Sequence, residues 1–130
     1  MKRIKDMVAE ANARIDHAPA ADLLGLHGDP GVTFVDLRDP RELEREGMIP
    51  GAFHCPRGML EFWVDPDSPY AKPQFQTGNR FVFYCASGWR SALSTLAVQE
   101  MGLAPVMHIT DGFSGWKAAG GQVGEPRKKG

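Results

Sequence analysis

Hydrophobic positions along the chain follow two rhythms, a three-to-four-residue spacing and short unbroken runs. Near the start, Ile4, Met7, Val8, Ala11 and Ile15 recur every three or four residues, which predicts an amphipathic helix. The same spacing returns in Leu93, Leu96, Ala97 and Met101 and predicts a helix over 91–101. The unbroken runs are Val32-Thr33-Phe34-Val35, Phe53-His54-Cys55, Arg80-Phe81-Val82-Phe83-Tyr84 and Val106-Met107-His108-Ile109. Short apolar runs bounded by turn residues read as strands, and the run at 80–84 as one buried on both faces, as in a parallel sheet. Pro19 suits the first turn of a second helix reaching about Leu26, and His27-Gly28-Asp29-Pro30-Gly31 is dense in turn residues. Further helices are expected at 41–46, at 56–63 and from Phe113 to Ala119, the last stopped by Gly120-Gly121. Strands alternating with helices predict an α/β domain around a central, mainly parallel sheet flanked by helices on both faces. The boundaries expected are an N-terminal helix at 1–14, the domain at 15–121 and a flexible tail at 122–130. The polar stretch 64–79, with Pro66, Pro69 and Pro73, is long for a loop and is expected to cover a site.

One stretch organises the chemistry. Cys85-Ala86-Ser87-Gly88-Trp89-Arg90 follows the strand at 80–84 and leads into the helix at 91–101. Ligands in open α/β sheets sit beyond the carboxyl ends of strands, and a loop feeding a helix N-terminus gathers backbone N–H groups that favour an anion. Gly88 gives the loop freedom that a side chain would deny, and Arg90 adds a fixed positive charge. Such surroundings favour a thiolate, so Cys85 reads as a nucleophile rather than an inert packed thiol. Cys55 lacks this setting and reads as a packed thiol, with a resolving cysteine as the minor alternative.

Composition narrows the possible partners. The 130 residues suit one domain; 15 Lys and Arg against 16 Asp and Glu leave no basic footprint for nucleic acid and no polybasic membrane patch. The basic start carries no apolar stretch behind it, and no run approaches membrane-spanning length. Two cysteines form neither a disulfide framework nor zinc-ligand spacing, and His17, His27, His54 and His108 are scattered. A reducing cytoplasmic setting is expected, without metal or cofactor.

Asp36-Leu37-Arg38, then Gly47-Met48-Ile49-Pro50-Gly51-Ala52, then Cys85 to Ser91, then Gly112-Phe113-Ser114-Gly115-Trp116 together resemble the rhodanese family of single-domain sulfurtransferases. The resemblance runs from about Ile15 to Gly121. It implies a central parallel sheet and a cysteine that carries sulfur as a persulfide. It further implies a cradle of backbone amides from Ala86, Ser87, Gly88, Trp89 and Arg90. The family's usual histidine before Ile-Pro-Gly-Ala is Met48 here, and the usual glycine pair before the last helix is Asp111-Gly112. The expected activity moves sulfane sulfur from thiosulfate or a similar donor to cyanide, a thiol or a sulfur-acceptor protein. Arg90 would orient the donor or hold the loop; Arg57, Phe62 and Trp63 would line the rim, and Trp89 would overhang the mouth. Asp36 and Arg38 read as a buried pair that fixes loops, and Arg41, Glu42, Glu44, Arg45 and Glu46 as a solvated helix face.

Two rival functions arise from the same residues. A cysteine phosphatase or arsenate reductase also sets a thiolate and an arginine around an oxyanion, but such loops resemble Cys-x5-Arg, and four residues separate Cys85 from Arg90 here. A non-catalytic binding module on this fold commonly loses the cysteine, which this chain keeps.

Overall fold

The structure is a computed structural model that describes residues 1–125. Five strands form one sheet: β1 (Asp16–Ala18), β2 (Val32–Asp36), β3 (Phe53–His54), β4 (Arg80–Tyr84) and β5 (Val106–Ile109). Their order is β1-β5-β4-β2-β3, and every pairing is parallel. The chain leaves β2 towards β3 on one side, then returns to place β4 on the other side of β2. The crevice beyond the carboxyl ends of β2 and β4 is therefore the topological switch point, where open α/β sheets place ligands. Asp36-Leu37-Arg38 and Cys85 both stand at its lip.

The central position of β4 explains its composition. Phe81 and Phe83 point to one face and pack with Val35, Leu37, Leu60, Phe75 and Val98. Val82 and Tyr84 point to the other and pack with Phe34, Ile49, Ile109, Phe113 and Trp116. A strand with an apolar layer on each side cannot alternate polar and apolar residues, hence the unbroken run. Burying each such side chain contributes roughly 1.5–3 kcal/mol. The first face carries α3 (Leu60–Val64) and α4 (Trp89–Glu100); the second carries α5 (Gly112–Ala118) and short 3-10 turns at Ala20–Asp22 and Leu24–Leu26. Outside α4 lies α1 (Ile4–Asn12), whose Val8 and Ala11, with Ile15 just beyond, pack on Ala92.

Several boundaries differ from the sequence expectation. The helix expected from Pro19 to Leu26 is two 3-10 turns, and the first is tied down by Ala20 N–H donating to Asp111 Oδ1 at 2.8 Å. The edge strand β1 has no counterpart in the apolar pattern, because Asp16 and His17 are exposed. The helix expected at 56–63 starts as a 3-10 turn at Arg57–Met59 and becomes α3 only at Leu60. The later part of the segment after Val64 lies at the far end of α4 from the switch-point crevice. Gln76 Nε2 donates to Val64 O and Phe75 is buried, beside a cleft of about 490 Å³ that Met101, Gly102 and Leu103 also line. Those three residues follow α4, whose twelve residues span about 18 Å from the Cys85 end.

Of the tail expected at 122–130, Gln122 accepts a bond from Trp116 Nε1 at 2.7 Å. Gly124 exchanges two backbone bonds with Met48, of 2.8 and 2.9 Å. Residues 126–130 lie outside the described residues. Among the described residues no helix is long and apolar enough to cross a membrane.

Candidate active site

Cys85 immediately follows β4, and its loop is held from two directions. Phe113 N–H, from the first turn of α5, donates to Cys85 O at 2.8 Å, and Ser114 N–H donates to Ala86 O at 3.1 Å. This close approach explains Gly112: a Cβ there would run into the backbone of Ala86 and Ser87. Gly88 has φ +103°, a left-handed conformation, and a Cβ on it would strike the Thr110 carbonyl. The turn that Gly88 permits directs two N–H groups at the cysteine sulfur. Gly88 N lies 3.2 Å from Cys85 Sγ and Ser91 N 3.4 Å. Of the expected cradle, then, Gly88 reaches Sγ itself; the second amide belongs to Ser91, one residue past the expected set. Ala86, Ser87, Trp89 and Arg90 complete the loop and the start of α4 around it.

Behind the sulfur runs a line of polar side chains. Cys85 Sγ is 3.6 Å from Ser91 Oγ, and Ser91 Oγ is 2.8 Å from His108 Nδ1. His108 Nε2 lies 2.7 Å from Asn12 Oδ1 on α1. His108 is fully buried; desolvation first, and the neighbouring His17 second, hold it down at about 4. The sequence offered no sign of this line, since 96 residues separate Asn12 from His108.

Arg90 is held in place by Glu42. Its Nη1 and Nη2 donate to Glu42 Oε2 and Oε1 at 2.8 and 2.9 Å, a two-pronged pair between α4 and α2 (Pro40–Glu46). This corrects the reading of Glu42 as part of a solvated face. The Arg90 pair, together with the Asp39 N–H that donates to Glu42 Oε2 at 2.8 Å, draws the carboxylate inward. Those bonds hold the Glu42 carboxyl at about 2. The sequence signal was available, because Asp39 and Glu42 form a capping box across the start of α2. Arg90 is in turn held above its ordinary value, chiefly by Glu42 and in smaller part by Cys85 beside it.

The neighbouring strand end is built differently. Arg38 and Asp36 are both fully buried: Nε donates to Oδ1 at 3.0 Å and Nη2 to Oδ2 at 2.7 Å. Nη2 also donates to Gly47 O at 2.7 Å, so the pair fixes the turn after α2. The guanidinium carbon lies 4.3 Å from the Phe113 ring centroid, which offers its face to the cation.

The expected rim residues divide. Arg57 N–H donates to Leu37 O at 3.2 Å, and its Nη1 donates to Glu61 Oε1 at 2.7 Å, so its charge is partnered. Trp89 and Phe62 are each about half exposed. Trp63 packs on Phe53 and beneath Lys72. Cys55 is sealed in the apolar layer, and its sulfur donates only to Pro56 O, at 3.8 Å. Desolvation pushes its thiol up to about 12. Among the described residues no three His, Cys, Asp or Glu side chains converge as a metal site.

Comparisons with known proteins agree on the fold and diverge on chemistry. The chain is 56% identical to a Rhodopseudomonas palustris protein of unknown function, described as a possible tyrosine phosphatase; the match covers 95% of this chain and 96% of that one, with a TM-score of 0.92. It is 26% identical to the dual specificity phosphatase Cdc25 of Arabidopsis thaliana, over 84% of this chain and 77% of that protein. A thiosulfate sulfurtransferase of Pseudomonas aeruginosa shares the fold at a TM-score of 0.72 and 22% identity, over 97% of this chain and 23% of that one. The family model for the rhodanese-like domain matches residues 19–119. With that match spanning most of the chain, and with the five-stranded parallel sheet and strand-end cysteine in place, the protein belongs to the rhodanese-like domain family.

Proposed function

We propose that this protein is a sulfurtransferase that carries sulfane sulfur as a persulfide on Cys85. The observation that supports this most is the size of the anion site. Two amides, from Gly88 and Ser91, close directly on Cys85 Sγ, and the loop that carries them packs Gly88 so near the Thr110 carbonyl that no Cβ fits between. A site drawn so tightly suits a single added sulfur better than a tetrahedral phosphate. Arg90, anchored by its two-pronged bond to Glu42, keeps a positive charge beside Cys85 that suits an anionic sulfur donor and the persulfide anion alike.

In the proposed reaction the Cys85 thiolate attacks the outer sulfur of thiosulfate. A sulfur–sulfur bond forms at Cys85, the original one breaks, and sulfite departs with its electron pair. The Cys85 persulfide is an anion whose charge faces preorganised N–H donors, so its formation needs little rearrangement. Cyanide or an acceptor thiolate then attacks the outer sulfur, and Cys85 leaves as thiolate. Two covalent half-reactions predict ping-pong kinetics. Donor and acceptor are small anions or thiols, the acceptor on a small molecule or a partner protein. Two unpaired cysteines are consistent with a reducing, cytoplasmic setting.

The test is the intact mass after incubation with thiosulfate, together with turnover of an aryl phosphate. The parent and Cys55→Ser should each gain ~32 Da, and Cys85→Ser should gain nothing. Hydrolysis of the aryl phosphate without any sulfur adduct would replace this reading with the phosphatase one, which the names given to two relatives favour.

A further inference from the structure

The line of polar groups behind Cys85 has a direction. Asn12 presents a carbonyl oxygen, which only accepts, so His108 Nε2 must carry the proton across their 2.7 Å contact. A neutral imidazole with its proton on Nε2 has an open acceptor at Nδ1. Ser91 Oγ, 2.8 Å away, therefore donates to Nδ1. With its one proton so committed, Ser91 Oγ can only accept from the Cys85 thiol, 3.6 Å from it. Every link points from sulfur to α1.

We propose that Ser91, His108 and Asn12 form a proton relay that removes the Cys85 thiol proton, with His108 as its terminal base acting through Ser91. This rests on Cys85 being the nucleophile. In the step, the S–H bond of Cys85 breaks as an O–H bond forms at Ser91. The original Ser91 O–H bond breaks as an N–H bond forms at His108 Nδ1. A thiolate and an imidazolium replace a thiol and an imidazole, and net charge is unchanged. The hydroxyl then donates to the thiolate and Nδ1–H donates to the hydroxyl, so the line is satisfied in both states. Beside the ring stand Asn12 from α1, His17 from β1, Ser91 from α4 and Phe83 from β4; of these only His17 is ionisable. Arg90, next to Cys85, favours the charge-separated state. Burial, the larger cause, and His17 hold His108 at about 4, so the ring rests neutral and the imidazolium forms only transiently, as the Cys85 sulfur attacks. Asn12 is the positioning residue that fixes the tautomer.

The relay is tested by the pH profile of Cys85 alkylation with iodoacetamide, read by peptide mass. Asn12→Asp sets a carboxylate behind the imidazole, which favours the imidazolium, and should move the profile to lower pH by about one unit. His108→Asn keeps an acceptor for Ser91 but no base, and should slow alkylation at neutral pH at least about tenfold. A purely structural line would give no shift to lower pH with Asn12→Asp, because the added negative charge by itself disfavours the thiolate; a shift to higher pH would overturn the relay. Profiles for both variants that superimpose on the parent would overturn the relay while leaving Cys85 the nucleophile. A parent in which Cys85 reacts no faster than Cys55 would overturn the nucleophile and the relay together. Should the variants not fold, long-range proton–nitrogen correlations of His108 in the parent decide: the Nε2–H tautomer is expected, and Nδ1–H overturns the relay.

Discussion

β3 and β4 each deliver a cysteine to the same edge of the sheet, one residue past the strand, and both sulfurs are hidden. Cys55 is 0% exposed and Cys85 1%, so accessibility does not distinguish them. Their neighbours do. Around Cys55 lie aliphatic and aromatic side chains, with one carbonyl at 3.8 Å, and among the described residues no donor meets the sulfur. Around Cys85 two amides and a hydroxyl converge, with an arginine beside them. Burial without donors makes an inert thiol, because desolvation penalises the thiolate and the charge of Arg57 offsets only part of that penalty. The same degree of burial among preorganised donors makes an anion site.

The comparison is broken most directly at Gly88. Gly88→Ala forces a Cβ against Thr110 and a left-handed backbone that alanine resists, so the Gly88 amide should swing away from Sγ. Losing one donor from a preorganised anion site costs roughly two to three powers of ten in rate. The time course of the ~32 Da adduct should slow by about that factor, with Cys55 still unreactive to alkylating agents. An adduct that forms at the parent rate would mean that the amides are not what separates the two cysteines.

Acid sharpens the contrast next, because only the Cys85 end has a buried histidine behind it. His108 falls from 6.5 in an open chain to about 4 in the fold. Its neutral form costs the fold nothing above about pH 6.5. Below that the unfolded chain takes up a proton that the native state refuses, and stability falls until the pH reaches about 4. The full loss is on the order of 3 kcal/mol. Denaturant midpoints measured between pH 6.5 and 5.5 isolate this slope, since the Glu42 carboxyl, at about 2 in the fold, begins to matter only within about one pH unit of its ordinary 4.5. In His108→Asn the slope should be absent from that window.

The smallest effect is expected from Glu42→Gln, which keeps the shape of the side chain and removes its charge. Arg90 is about two-fifths exposed, so solvent screens the pair and its loss should cost only about 1 kcal/mol. Persulfide formation should change by about fivefold or less, and the thermal midpoint should drop slightly. A loss as large as that of Gly88→Ala would show that the Glu42–Arg90 pair, rather than the amides, is the main support of the site.

What the sequence made legible follows from how local each signal is. β2, β4 and β5 were readable because strands covered on both faces must be continuously apolar. The Cys85 loop was readable because its strand, turn and helix are contiguous, and the glycine and arginine fall within six residues. β1 was not readable: it is a three-residue edge strand, paired only with β5, whose exposed Asp16 and His17 carry no apolar rhythm. Glu42 looked like one charge among five on a short helix, and its role appears only when α2 is set beside α4. Asn12 and His108 meet because α1 packs across α4 through Val8, Ala11 and Ala92, a contact no local spacing encodes. Asp36 and Arg38 were read as a structural pair from strand-end position alone, and their complete burial agrees with a role in fixing the Gly47 turn.

The bridge between Met48 and Gly124 also gives the domain a mechanical character. Parallel strands pulled along their length must break many bonds at once, whereas a two-bond antiparallel bridge at one end opens like the first tooth of a zip. Tension applied at Gly124 lifts it from Met48. Gly47, whose α-carbon has no room for a side chain against the Gly124 carbonyl, is then uncovered. Since Gly47 O is also held by the buried Arg38, the pull is passed inward to the crevice before any strand is sheared. A pull on Gly124 is thus mechanically connected, through Gly47 and Arg38, to the candidate active site.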